Sequence, residues 1–155
     1  SEQKMFKLKE DVRVYSGEDK LQEILHIQAR QVIDFSAAYD VYDQTEGRKI
    51  GVLRRKGWKS IGRDEWTLLD DQDHPVATLI EDSLASALLR RLILGSLLPQ
   101  NFDVLDDSGS RLADIKQHFK FFGYELQIDL IGNLDPRLAV AAGILLAIVE
   151  GKQQS

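Results

Sequence analysis

Four times along the chain, a short run of alternating apolar and polar residues leads through an acidic turn into a second short run. The first runs are Val12-Arg13-Val14-Tyr15, Tyr39-Asp40-Val41-Tyr42, Trp66-Thr67-Leu68-Leu69 and Phe102-Asp103-Val104-Leu105, so their starts lie 27, 27 and 36 residues apart. The turns are Ser16–Lys20, Asp43–Gly47, Asp70–Pro75 and Asp106–Gly109. Asp hydrogen-bonds its own backbone and Gly supplies positive φ, so these segments predict hairpin loops. A regular series of hairpins predicts an antiparallel, mainly β architecture. The period of two assigns an inner face: Val12 and Val14, Tyr39 and Val41, Trp66 and Leu68, Phe102 and Val104. On the return strands the inner pairs are Leu25 and Ile27, Gly51 and Leu53, Ala77 and Leu79, Ala113 and Ile115. Three of these begin with Gly or Ala, which leaves room for something to approach the strands closely. Tyr124–Leu130 alternates most cleanly and predicts a further strand.

The pattern changes after Asp135-Pro136-Arg137. Residues Leu138–Val149 are twelve consecutive apolar or Gly positions, with Gly151 following Glu150. Asp at the N-cap, Pro at the first helical position and Gly near the end predict a helix. With no polar face it must be buried on every side. Its ~14 residues reach about 21 Å, too short to span a hydrocarbon core of about 30 Å. In a chain otherwise made of strands, a sheet closed around the helix would enclose it. Ala139, Ala141, Ala142, Gly143 and Ala147 keep it slender. The other reading is a peripheral hydrophobic tail that docks on a partner.

A hairpin meander ending in an Asp-Pro-Arg-led apolar helix resembles the tubby C-terminal-like superfamily, which groups tubby domains, plant LURP-one-related proteins and phospholipid scramblases. The chain is most similar to a bacterial LURP-one-related group, through Lys4–Asp11, Arg54–Ser60 with Arg63–Trp66, and Asp135–Glu150. The resemblance covers nearly the whole chain and implies one domain over residues 1–155. The implied fold is a closed or nearly closed antiparallel barrel of about 10–12 strands around a central C-terminal helix. Family domains usually begin with a further hairpin upstream of Lys4, which is expected to be missing here. The scramblases' Cys-rich segment is absent, and their calcium loop has no convincing match, so calcium-driven scrambling does not carry over. The resemblance implies fold more strongly than function.

Composition narrows the chemistry. The 155 residues are 43% hydrophobic and 29% charged, with no Cys and a net charge of −5. Disorder, disulfide scaffolds and thiolate chemistry are excluded, and no nucleic-acid partner is expected. The first ten residues lack the apolar core of a signal peptide, so the expected setting is cytoplasmic. Against the acidic background, five cations fall within ten residues: Arg54, Arg55, Lys56, Lys59 and Arg63, with Trp58 among them. Cations beside an interfacial aromatic suit an anionic phospholipid headgroup, so a peripheral membrane surface is the first candidate partner. Tubby domains bind phosphoinositides, which the resemblance adds by analogy. The bland reading is a solvated hairpin whose cations pair with Asp64, Glu65 and nearby acidic turns.

Ser83–Pro99 breaks the hairpin rhythm. With Arg90, Arg91 and Leu94 it predicts either an amphipathic segment for a protein or membrane partner, or a short helix plugging one barrel end. A protein-interaction module using this segment or an exposed strand edge is the alternative function. His26, His74 and His118 lack metal-ligand spacing, and His26 should face outward. The acidic turns lack the calcium loop's distal bidentate Glu. No metal, cofactor or catalytic motif is expected, and a helix-filled interior leaves no place for a substrate.

Overall fold

The computed structural model describes residues 11–30, 37–56, 65–81, 101–120 and 123–153. Among them are nine strands: β1 (Asp11–Tyr15), β2 (Glu23–Ala29), β3 (Ala38–Asp43), β4 (Arg48–Arg55), β5 (Glu65–Leu69), β6 (Pro75–Glu81), β7 (Asn101–Leu105), β8 (Arg111–Lys120) and β9 (Gly123–Leu130). One helix, α1 (Pro136–Gln153), follows. Each strand pairs antiparallel with the next in a single sheet ordered β1 to β9. The hairpin turns form as the Asp pattern predicts. Asp70 Oδ1 accepts from the amides of Gln72 and His74, each at 2.9 Å, and Asp106 Oδ1 accepts from those of Ser108 and Ser110, each at 2.9 Å. Gly47 and Gly109 take φ of 65° and 81°, the left-handed values these turns require.

The inner face is the one the alternation assigns. Ile27, Val41, Leu68, Leu79, Phe102, Val104, Ala113 and Ile115 are fully buried, and of the paired positions only Val14 is half-buried. The helix packs against this face. Asp135 caps it: its carboxylate accepts from the Arg137 amide at 2.9 Å, and its carbonyl from the Leu138 and Ala139 amides at 3.1 and 3.2 Å. Leu138 lies against Gly51 of β4, and Gly143 lies against Ile115 of β8 and Leu126 and Ile128 of β9. Burying Leu138, Leu145 and Leu146 contributes about 1.5–3 kcal/mol each before entropy is subtracted.

The expected closed barrel is not what the described residues form. There are nine strands rather than 10–12, and β1 and β9 are not paired with each other. In a nearest-neighbour meander the first and ninth strands run in the same direction, so no antiparallel ladder can join them. Among the described residues the helix is not enclosed on every side. Leu138, Ala139, Ala141, Ala142, Gly143, Leu145 and Leu146 are buried, whereas Val140, Ile144, Ala147 and Ile148 are half-buried.

Candidate functional site

The cationic segment begins at the end of β4. Gly51 and Leu53 point inward, so the pleat turns Arg55 inward and Arg54 outward. Arg55 is the register partner of Trp66, and its guanidinium sits 5.9 Å from the centroid of the Trp66 ring. Tyr39 packs beside that ring, with centroids 6.1 Å apart and planes tilted by 41°. Burial pushes the Tyr39 hydroxyl up to about 12, with the Arg55 charge pulling the other way. Trp66 Nε1 is buried and has no hydrogen-bond partner among the described residues. Lys56 shares the outward side with Arg54. Its amide donates to the Glu65 carbonyl at 3.0 Å, and its ammonium pairs with the Glu65 carboxylate. The three contiguous cations therefore do not form one patch: Arg54 and Lys56 face outward together, while Arg55 belongs to the aromatic packing beneath. Trp58, Lys59, Arg63, Arg90, Arg91 and Leu94 lie outside the described residues.

The seam between helix and sheet lined by Leu53, Trp66, Leu79, Ala142, Leu145 and Leu146 is entirely apolar and has no room for a water molecule. Among the described residues no group of three or more His, Asp or Glu is placed to hold a metal ion. His26 faces outward on β2, paired with Asp11 of β1 and 6.2 Å from the Tyr42 ring between centroids. No helix among the described residues is long and apolar enough to cross a membrane.

Two charged assemblies were not foreseen from the sequence. At the start of the helix, Arg137 Nη1 donates to Asp43 Oδ2 at 2.6 Å and Arg137 Nη2 to Asp135 Oδ2 at 2.8 Å, with Glu46 at 3.0 Å. Asp43 is buried and also accepts from the Thr45 hydroxyl at 2.6 Å and the Thr45 and Glu46 amides at 2.7 and 3.0 Å. These bonds hold its carboxyl well below the ordinary carboxylate range. On the outer face, Arg30 bonds Asp40 and Asp73 at 2.8 and 2.9 Å, while Lys49 reaches the same two carboxylates at 3.3 and 3.1 Å. The Arg30 and Lys49 charges hold the Asp73 carboxyl down to about 2. Pairings 94 and 43 residues apart leave no local signal.

One end of the sheet gathers carboxylates, of which Glu46 is paired with Arg48 and Arg137 and Asp73 with Arg30 and Lys49. The turns at residues 16–22, 44–47, 70–74 and 106–110 all lie at one end and carry eight carboxylates and one lysine, Lys20. Arg54, Arg55 and Lys56 lie at the opposite end, where β4 finishes. Comparisons with curated proteins and with solved structures find no match. The family model described as LURP-one-related matches residues 1–147. Spanning almost the whole described meander and its helix, that match makes this chain a member of the LURP-one-related family, within the tubby-like superfamily.

Proposed function

We propose that this tubby-like domain is a non-enzymatic, peripheral binder of anionic phospholipid headgroups, and that Arg54 and Lys56 make the contact. The observation that carries the reading is the shared outward side of these two cations, at the end of the sheet away from the acidic turns. Alternate residues on one strand face stand about 6.6–7 Å apart, a span two phosphate oxygens or two neighbouring headgroups can bridge. The half-exposed Lys56–Glu65 pair is a surface ion pair of low intrinsic worth, so a phosphate can displace the carboxylate. Each cation near an anionic surface contributes about 1 kcal/mol.

The test is co-sedimentation with phosphatidylcholine vesicles with and without phosphatidylserine. Binding is expected only with the anionic lipid, and Arg54→Glu together with Lys56→Glu should weaken it by at least about tenfold. Arg55→Ala should leave lipid binding intact and lower thermal stability, because that side chain covers Trp66. Equal sedimentation with neutral vesicles, or full binding by the double charge reversal, would overturn the reading.

A further inference from the structure

Strand register sets four side chains at the corners of one square on the outer face. Arg54 of β4 is the register partner of Thr67 of β5. Two residues on, the Lys56 amide donates to the Glu65 carbonyl at 3.0 Å, which continues the same ladder and stands Lys56 opposite Glu65. Trp66 and Leu68 point inward, so Glu65 and Thr67 share the outer face with Arg54 and Lys56. Opposed residues on one face have Cβ atoms about 4.5–5.5 Å apart, and alternate residues along a strand stand about 6.6–7 Å apart. An anion the size of phosphate placed over the square can therefore touch Arg54, Lys56 and Thr67 together.

The fourth corner, Glu65, sets the condition for entry. Its carboxylate pairs with Lys56. Asp40, the outward carboxylate on the other flank of Arg54, is held by Arg30 and Lys49, and the register partner of Arg54 on β3 is Ala38, which adds neither charge nor bulk. A singly charged phosphodiester that displaces Glu65 exchanges one negative charge for another. A phosphate monoester carries about −1.5 to −2 at pH 7 and presents three terminal oxygens instead of two. It outcompetes the carboxylate for Lys56, engages the Arg54 guanidinium with two oxygens, and has a third left for the Thr67 hydroxyl.

We propose that Arg54, Lys56 and Thr67 form a three-cornered seat for a terminal phosphate, and that Glu65 occupies it internally, so that the seat takes a phosphate monoester in preference to a phosphodiester. The inference rests on the headgroup reading of Arg54 and Lys56 and adds two residues to it. Thr67 supplies a donor that only the monoester uses fully, and Glu65 turns away ligands of low charge.

Co-sedimentation tests this with phosphatidic acid or phosphatidylserine, each diluted in phosphatidylcholine to the same surface charge. Phosphatidic acid is expected to bind at least about fivefold more tightly. Thr67→Val keeps the side chain's shape without its hydroxyl and should bring that ratio close to one. Glu65→Gln should raise binding to phosphatidylserine by about fivefold, and by more than Glu23→Gln, which changes the net charge equally on β2. Glycerol 3-phosphate should displace the protein from the vesicles. If it binds while no vesicle sediments the protein, the seat stands and its ligand is a soluble phosphate ester. Equal binding of the two anionic lipids, or a Thr67→Val variant that keeps the preference, overturns the seat and leaves the headgroup reading intact. No sedimentation with either lipid and no binding of glycerol 3-phosphate overturns both.

Discussion

Gly51→Val is expected to destabilise the domain by roughly 3–5 kcal/mol, a large fraction of the ~5–15 kcal/mol that holds a typical domain together. A Cβ at this position would stand 2.6 Å from the Leu69 carbonyl oxygen and 3.0 and 3.2 Å from the two methyls of Leu138. The first neighbour is backbone of the adjacent strand and cannot rotate away. The second is the first large residue of the helix, so relief would require the helix to lift off β4. In urea, the midpoint should fall by on the order of 2 M with little change in slope. Gly143→Ala is the control. Its Cβ would meet Ile128, Leu126 and Ile115 at 3.4, 3.5 and 3.6 Å, ordinary contact distances, and alanine is the better helix former by up to about 1 kcal/mol. A Gly51 variant as stable as the parent would mean that the helix does not sit where the structure places it.

The second large effect is expected at Asp43 and Arg137. Removing either should cost about 2–4 kcal/mol at neutral pH, because a buried carboxylate loses its cation or a guanidinium its principal acceptor. The same bonds set a pH dependence. The Asp43 carboxyl titrates below its ordinary value of 3.8 in the folded protein. The unfolded chain therefore takes up a proton first as pH falls. The stabilisation is fully present above about pH 4 and is lost as pH drops through the folded value. Asp73, held down to about 2 by Arg30 and Lys49, adds to the same acid limb. Thermal melts between pH 7 and pH 2 should show Tm falling below pH 4 in the parent. In Asp43→Asn the curve should start lower and fall less steeply. An Asp43→Asn curve parallel to the parent's would show that this carboxylate does not titrate with folding.

Much of the wall was legible from residue order. Period-two alternation found the inward face of all four hairpins, because a pleated strand buried on one side must alternate. Asp70 and Asp106 announced their turns because they bond amides two and four residues on, a purely local event. Asp135 and Pro136 likewise marked the helix start. Whether the wall closes was not legible, because alternation within a strand says nothing of how many strands there are or how they are staggered around the helix. Nor was the division of the cationic run. Five cations in ten residues read as one patch, whereas the pleat turns Arg55 onto Trp66 and leaves Arg54 and Lys56 outside. The Arg137–Asp43 pair joins positions that only the assembled fold brings together.

Nearest-neighbour strand order also shapes how the molecule is made. Among the described residues every strand pairing joins strands adjacent in sequence, so each can zip as the chain leaves the ribosome. The helix that covers the inner face is translated after all nine described strands. Until residues after 136 emerge, a growing curl of Leu, Val, Ile and Phe side chains has nothing to cover it, and nascent chains in that condition are the ones chaperones hold and neighbouring chains capture. Because the helix follows the strands it covers, its emergence, rather than formation of any one hairpin, is the moment at which the inner face of this sheet becomes safe from aggregation.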